Sequence, residues 1–304
     1  MCSLFGLIDF KECLSTHTKN KILNTLAREC QMRGTDATGI AYNFNDRLRI
    51  YKRPLPARKM KIHIPHGVNV VMGHTRMTTQ GNAQFNQNNH PFLGHVDGNS
   101  FALAHNGVLW NDKELRMEEN LPLTSVETDS YVAVQLLENN KTLDFDSVKF
   151  MAEAVEGSFV FTVLDKDNSI WFVVGDNPLC VMFYDGFLIY ASTQEILCKS
   201  IKKLRLKAPT NILEPKEGEI LKIDRNGRIT TGAFAPRTSY EHWWRRYSPY
   251  YRDYCVDTPP NYDDLFSVAK AFGVSTEEVQ ALLDYGCSEE EIEEMLYDPT
   301  LLHE

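Results

Sequence analysis

The chain has 304 residues, 43% of them hydrophobic and 24% charged, a soluble globular composition with room for one large core plus an appendage. Its net charge of -9 is unevenly spread, because residues 261–304 hold twelve acids against one base, Lys270, and the preceding 260 residues are close to neutral. Neither part offers the basic stripe that attracts a phosphate backbone and no apolar run is long enough to span a bilayer, so neither a nucleic-acid nor a membrane partner is expected.

Leu4 to Ile8 is too short for a signal-peptide core, lacks a basic region before it and is closed by Asp9. The seven cysteines, Cys2, Cys13, Cys30, Cys180, Cys198, Cys255 and Cys287, are scattered and never form CxxC. That usage predicts a reducing, cytoplasmic setting with no zinc or other metal site.

Ser3 to Ile8 predicts a buried strand that holds Cys2 at its end. Thr18 to Met32 spaces Ile22, Leu26 and Met32 among charges and predicts an amphipathic helix that breaks at Gly34. After the turn RGTDATG (33–39), Ile40–Phe44 and Leu48–Tyr51 flank Asn45-Asp46 as a hairpin, and Val68–Met72 predicts another strand. Residues 73–99, rich in Gly, Asn and Gln, read as a long polar loop. A strand at Ser100–Ala104 leads into His105-Asn106-Gly107, and a helix is predicted over Asp129–Leu137 with Asp129 in its first turn.

A second helix follows at Phe145–Val155, then strands at Phe159–Leu164, Ile170–Val174, Val181–Tyr184 and Phe187–Ala191. Asp185-Gly186 and Asn226-Gly227 are hairpin turns. Strands paired by tight turns, with helices to cover them, predict an α+β layered body over residues 1–236. Residues 237–260 form an aromatic and basic linker centred on Trp243-Trp244-Arg245-Arg246. Residues 261–304 read as an acidic module of three short helices, with capping boxes at Ser275/Glu278 and Ser288/Glu291. It loosely resembles a ubiquitin-associated-type three-helix module.

Cys2 becomes chemically notable if Met1 is removed, since its thiol and a free α-amine then lie on adjacent carbons. An α-amine titrates at about 8 and a free thiol at about 8.5, so the amine can act as the base for its own nucleophile. Attack on an amide also needs donors for the oxyanion and groups that orient the substrate. Asn106 offers a side-chain amide donor and Gly107 a closely approachable backbone donor, although Asn-Gly equally suits a turn. Arg76 can bind a carboxylate bidentately and Asp129 can pair with an ammonium, a combination that suits an α-amino acid.

The ordered motifs MCSLFG, RGTDATG, GHTRMTTQG, AHNG and VETD resemble CGIxG, RGxDxxG, GHTRWAT, HNG and SETD of the class II glutamine amidotransferases. The resemblance covers about residues 2 to 225. It implies a four-layer αββα sandwich of antiparallel sheets, the N-terminal nucleophile hydrolase type. It also implies Cys2 as nucleophile, Asn106 and Gly107 as oxyanion hole, Arg76 on the α-carboxylate, Asp129 on the α-amine and Thr79 as a substrate-loop residue. Arg33 and Asp36 match a supporting turn. Ser3, Met77 and Gln80 depart from the family pattern without removing a catalytic group.

The resemblance implies release of ammonia from glutamine through a γ-glutamyl thioester, with no cofactor. No sugar-isomerase or phosphoribosyltransferase module follows the glutaminase-like part, so a separate ammonia-accepting synthase is expected as partner. The alternatives are a stand-alone hydrolase of another γ-glutamyl amide, or an inactive binding or regulatory homologue.

Overall fold

The structure, a computed structural model, describes residues 2–237 together with 265–266, 269–270, 273–285, 292 and 296. The chain divides into two compact units, Met1–His242 and Trp243–Glu304.

In the first unit, short apolar runs become strands because their side chains alternate between two packed faces. β1 (Ser3–Ile8) turns Phe5 and Leu7 to one core and Leu4 and Ile8 to another, and all four are fully buried. It lies between β4 (Val70–Arg76) and β10 (Leu188–Ala191) in a seven-stranded antiparallel sheet. β2 (Ala37–Phe44) and β3 (Arg47–Arg53) extend that sheet beyond β4, and β9 (Cys180–Phe183) and β11 (Asn211–Leu213) extend it beyond β10. The second sheet has six strands in the order β13 (Ile229–Ala233), β12 (Glu219–Ile223), β8 (Ile170–Val174), β7 (Gly157–Leu164), β6 (Asn99–Leu109) and β5 (Phe92–Val96), all antiparallel.

The inner faces of the two sheets meet through Leu4, Met72, Ala104, Val160, Phe172 and Tyr190. α1 (Thr16–Cys30) and α5 (Gln194–Leu204) cover the outer face of the larger sheet with Ile22, Leu26, Ile196 and Leu197. α3 (Tyr131–Asn140) and α4 (Phe145–Ala154) cover the outer face of the smaller one with Val132, Leu136, Val148 and Met151. The result is the α+β sandwich in four layers, αββα, that the sequence led us to expect.

Three expectations change. Residues 73–99 are not one loop: β4 continues to Arg76, β5 occupies Phe92–Val96, and the true loop is residues 77–91. The cause is register, since pairing of Ser3 with Thr75 and Ala37 with Arg76 buries polar side chains that carry no apolar signal. Asn106-Gly107 is not a turn but lies inside β6, opposite Val160 and Phe159. Asp129 precedes α3 instead of lying in its first turn. A short helix, α2 (Asp112–Glu118), and α5 were not anticipated.

In the second unit, α6 (Thr276–Tyr285) begins at the expected capping box, where Ser275 N–H and Oγ donate to Glu278 Oε2 at 2.9 and 2.8 Å. Leu265, Ala269, Val279, Ile292 and Leu296 form a small buried cluster of their own. The Trp243–Arg246 segment and the Ser288/Glu291 box lie outside the described residues, as does Met1. Among the described residues no helix is long and apolar enough to cross a membrane.

Candidate active site

Cys2 immediately precedes β1, at the strand's N-terminal end within the seven-stranded sheet and beside the point where the chain leaves β4 after Arg76. Cys2 is buried, 8% exposed. The Met77 N–H donates to its sulfur at 3.4 Å, and Arg33 Nε donates to its carbonyl at 3.0 Å. Burial pushes the Cys2 thiol above its ordinary value, whereas the Met77 backbone and the Arg76 charge pull it down and the Asp129 charge pushes it up. The charges of Arg76 and Asp129 therefore act on one buried sulfur.

The turn after α1 supports this corner. Asp36 N–H donates to the Arg76 carbonyl at 2.9 Å, and Asp36 Oδ2 accepts from Thr78 N–H at 2.8 Å. Gly34 packs so closely that an added Cβ would come within 2.5 Å of the Arg76 carbonyl carbon and 2.6 Å of Met77 N. Arg33 thus bonds the backbone at Cys2, and Asp36 the backbone at Arg76 and Thr78.

Arg76 is 3% exposed, and its guanidinium is gripped from outside the sheet. Nη1 donates to Asn89 Oδ1 at 2.7 Å, and Nη2 donates to the carbonyls of Gln80 and Gly81 at 2.5 and 3.2 Å. Thr79 stands exposed on the same loop. Glu127 ties that loop to the segment leading to Asp129: its Oε2 accepts from Asn82 N–H and Asn88 Nδ2 at 3.0 and 2.7 Å, and its N–H donates to Asn88 Oδ1. Asp129 Oδ2 accepts from Leu109 N–H at 2.7 Å, and Oδ1 accepts from Ser130 Oγ at 3.2 Å.

On the facing sheet, Asn106 is 1% exposed. Its Nδ2 donates to Ser192 Oγ at 3.5 Å, and the same hydroxyl accepts from Leu4 N–H at 2.8 Å. Asn177 Nδ2 donates to the Asn106 carbonyl at 3.1 Å. Gly107 has φ +148°, and a Cβ there would sit 1.8 Å from the Ser158 carbonyl oxygen. Only glycine fits this strand position, because the Ser158 backbone and the His105 ring fill the space a side chain would take.

Ser192 is a residue that sequence reading missed. It follows the apolar run of β10 and precedes Thr193, whose side chain caps α5, so Ser-Thr before Gln-Glu reads as one helix start. Only the pairing of β10 with β1 shows that Ser192 faces Asn106 instead. Beneath the site lies a buried histidine group. His74 Nε2 donates to the His105 carbonyl at 2.9 Å, His105 Nδ1 pairs with Ser130 Oγ at 2.8 Å, and the His90 ring lies 4.2 Å from that of His74. Among the described residues no group of three or more His, Cys, Asp or Glu is placed to hold a metal ion.

Residues 74–199 match the glutamine amidotransferase domain family. The glutamine–fructose-6-phosphate aminotransferase (isomerizing) of Sulfurisphaera tokodaii is 31% identical over 243 residues, covering 73% of this chain and 40% of the relative. That of Staphylococcus epidermidis is 26% identical, covering 80% and 42%. The chain therefore spans about two fifths of the length of these curated relatives. Glutamine phosphoribosylpyrophosphate amidotransferase from B. subtilis shares the fold at a TM-score of 0.60 and 20% identity, over 77% of this chain and 49% of that one. With the motifs in order and the sandwich in place, the chain belongs to the class II glutamine amidotransferase family.

Proposed function

We propose that the chain is a glutamine amidohydrolase whose nucleophile is the Cys2 thiol after removal of Met1. The α-amine takes the thiol proton, and the sulfur attacks the δ-carbonyl carbon of glutamine. A C–S bond forms as the carbonyl pair moves onto oxygen, where Asn106 Nδ2 and the Gly107 N–H receive it. The tetrahedral species collapses by breaking the C–N bond, the ammonium returns its proton to the leaving nitrogen, and ammonia departs. Water, deprotonated by the same amine, then cleaves the γ-glutamyl thioester to glutamate and restores the thiol.

Arg76 binds the α-carboxylate and Asp129 the α-ammonium, with Thr79 contributing from the loop and Arg33 and Asp36 supporting it. No cofactor is needed for these steps. The observation that carries the reading is the placement of a buried sulfur against the Met77 amide, under the influence of both Arg76 and Asp129. Residues 1–236 then form the glutaminase domain, 237–260 a linker and 261–304 a separate acidic module. The ammonia passes to a separate synthase in the cytoplasm.

The test uses full-length protein whose N-terminus has been shown by mass spectrometry to be Cys2. Release of ammonia from glutamine, lost in Cys2→Ala and accompanied by covalent labelling of Cys2 by a glutamine-like electrophile, supports the reading. Failure of both turnover and labelling sinks it. Faster turnover of another γ-glutamyl amide would move the substrate but keep the chemistry.

A further inference from the structure

The Arg76 guanidinium does not hold itself in place. Its Nη1 partner, Asn89, is fully buried, and Asn89 Nδ2 reaches back to the Ala83 carbonyl at 2.7 Å. One side chain thus clamps the arginine to the 77–91 loop. The clamp is fixed in turn from β3, where Lys52 Nζ donates to the carbonyls of Asn89 and Pro91, the latter at 3.0 Å. The carbonyl of Lys52 itself accepts from Asn86 Nδ2 at 3.0 Å.

The sheet is shaped to allow this crossing. Gly39 pairs with Lys52 across β2 and β3, and a Cβ on Gly39 would lie 2.1 Å from the His90 carbonyl oxygen and 2.9 Å from Pro91 Cδ. The absent side chain leaves the loop free to pass over the strand and meet the lysine. Lys52 Nζ also sits 5.1 Å from the centre of the Phe92 ring, a cation–π contact. Among the described residues no carboxylate lies within ion-pair distance of Lys52, and the nearby titratable groups are Arg76, His74 and His90. Burial, with a smaller effect from the Arg76 charge, lowers the ammonium to about 8. Placing a half-buried cation beside the Arg76 charge costs stability, and the bonds it makes in return all go to the loop that grips that arginine.

We propose that Lys52 and Asn89 are positioning residues that hold the Arg76 guanidinium in the geometry that receives the substrate carboxylate. The inference rests on the amidohydrolase reading for the identity of that carboxylate, but the mechanical link from Lys52 to Arg76 does not. An interaction with the non-reacting end of the substrate is made equally in the ground and transition states, so its loss raises KM and spares kcat.

The full chain with Cys2 as its N-terminal residue is assayed for glutamine hydrolysis. Lys52→Met and Asn89→Ala are each expected to raise KM about tenfold while kcat stays within about twofold. Lys52→Arg is expected to restore a KM near that of the parent. The double variant is expected to be no worse than the poorer single one, because both act through one guanidinium. A fall in kcat at unchanged KM, failure of Lys52→Arg to rescue, or multiplying effects in the double variant would overturn the assignment. If the parent protein does not hydrolyse glutamine, the functional reading fails and the link is read from the nitrogen-15 NMR signal of Arg76 Nε. That signal should shift in Lys52→Met and stay in place in Lys52→Arg. An Arg76 signal unmoved by Lys52→Met would overturn the positioning role by itself.

Discussion

The Met77 N–H and the Cys2 sulfur lie 3.4 Å apart, so the residue that follows Arg76 also touches the candidate nucleophile. Because Gly34 packs against the peptide between Arg76 and Met77, that contact depends on a residue with no chemistry of its own. Gly34→Ala places a methyl 2.5 to 2.6 Å from backbone atoms, which must move. We expect a folded protein whose kcat/KM for glutamine is at least about tenfold lower, since small misplacements near reacting atoms are costly. Near-parental kcat/KM in Gly34→Ala would show that the Met77 amide is not needed where it stands.

In the proposed mechanism, a variant at Asn106 separates binding from chemistry. Its amide reaches Ser192 Oγ at 3.5 Å, a long bond that leaves Nδ2 able to turn toward a developing oxyanion. Asn106→Ala should lower kcat by about 10²- to 10³-fold with little change in KM, the usual cost of removing one oxyanion donor. Ser192→Ala should cost less, because it frees the amide without deleting it. Steady-state rates for both variants check the order, and a larger loss at Ser192 than at Asn106 would reverse the roles.

Much of this site was legible in the residues and much was not. Cys2, Arg33, Asp36, Arg76, Asn106, Gly107 and Asp129 stand in short motifs whose chemistry is visible one residue at a time. Asn89, Lys52 and Ser192 bond to partners 13, 37 and 86 positions away, and only strand pairing and loop path bring those together. The fold shows the same division. Alternating apolar strands such as β1 and β7 were readable because both their faces are buried in hydrocarbon. The end of β4 was not, because His74, Thr75 and Arg76 are buried by hydrogen bonding and charge instead.

The buried histidines set a pH dependence of stability. Burial lowers His74 to about 3 and pushes His90 and His105 below the ordinary histidine value. The unfolded chain takes up protons on these residues at about pH 6.5, while the folded protein resists doing so until lower pH. Stability therefore falls as pH drops below about 6.5, by up to about 1.4 kcal/mol per pH unit for each histidine that stays neutral. Among the described residues His90 has no hydrogen-bond partner on either ring nitrogen, and it packs between His74 and Phe92. His90→Phe should therefore weaken the pH dependence of the melting temperature between pH 6.5 and 5. Melting curves that stay parallel for parent and variant would remove His90 from this account.

At the far end of β1 from Cys2, Lys19 and Asp9 form an ion pair of 3.0 Å with side chains 5% and 0% exposed. Asp9 also accepts from the Cys13 and Leu14 N–H groups at 2.9 and 3.0 Å, and Lys19 donates to the Val68 carbonyl and to Asn69. The pair thus pins the start of α1 to the segment entering β4. Lys19→Met leaves the Asp9 carboxylate buried without its cation, a loss of about 3 to 5 kcal/mol. The urea midpoint should fall accordingly, while the folded fraction keeps its activity because the change is remote from Cys2. Adding Asp9→Asn removes the stranded charge and should recover part of the loss. If the double variant is no more stable than Lys19→Met alone, the lysine contributes through its bonds to Val68 and Asn69 and not through compensation of Asp9.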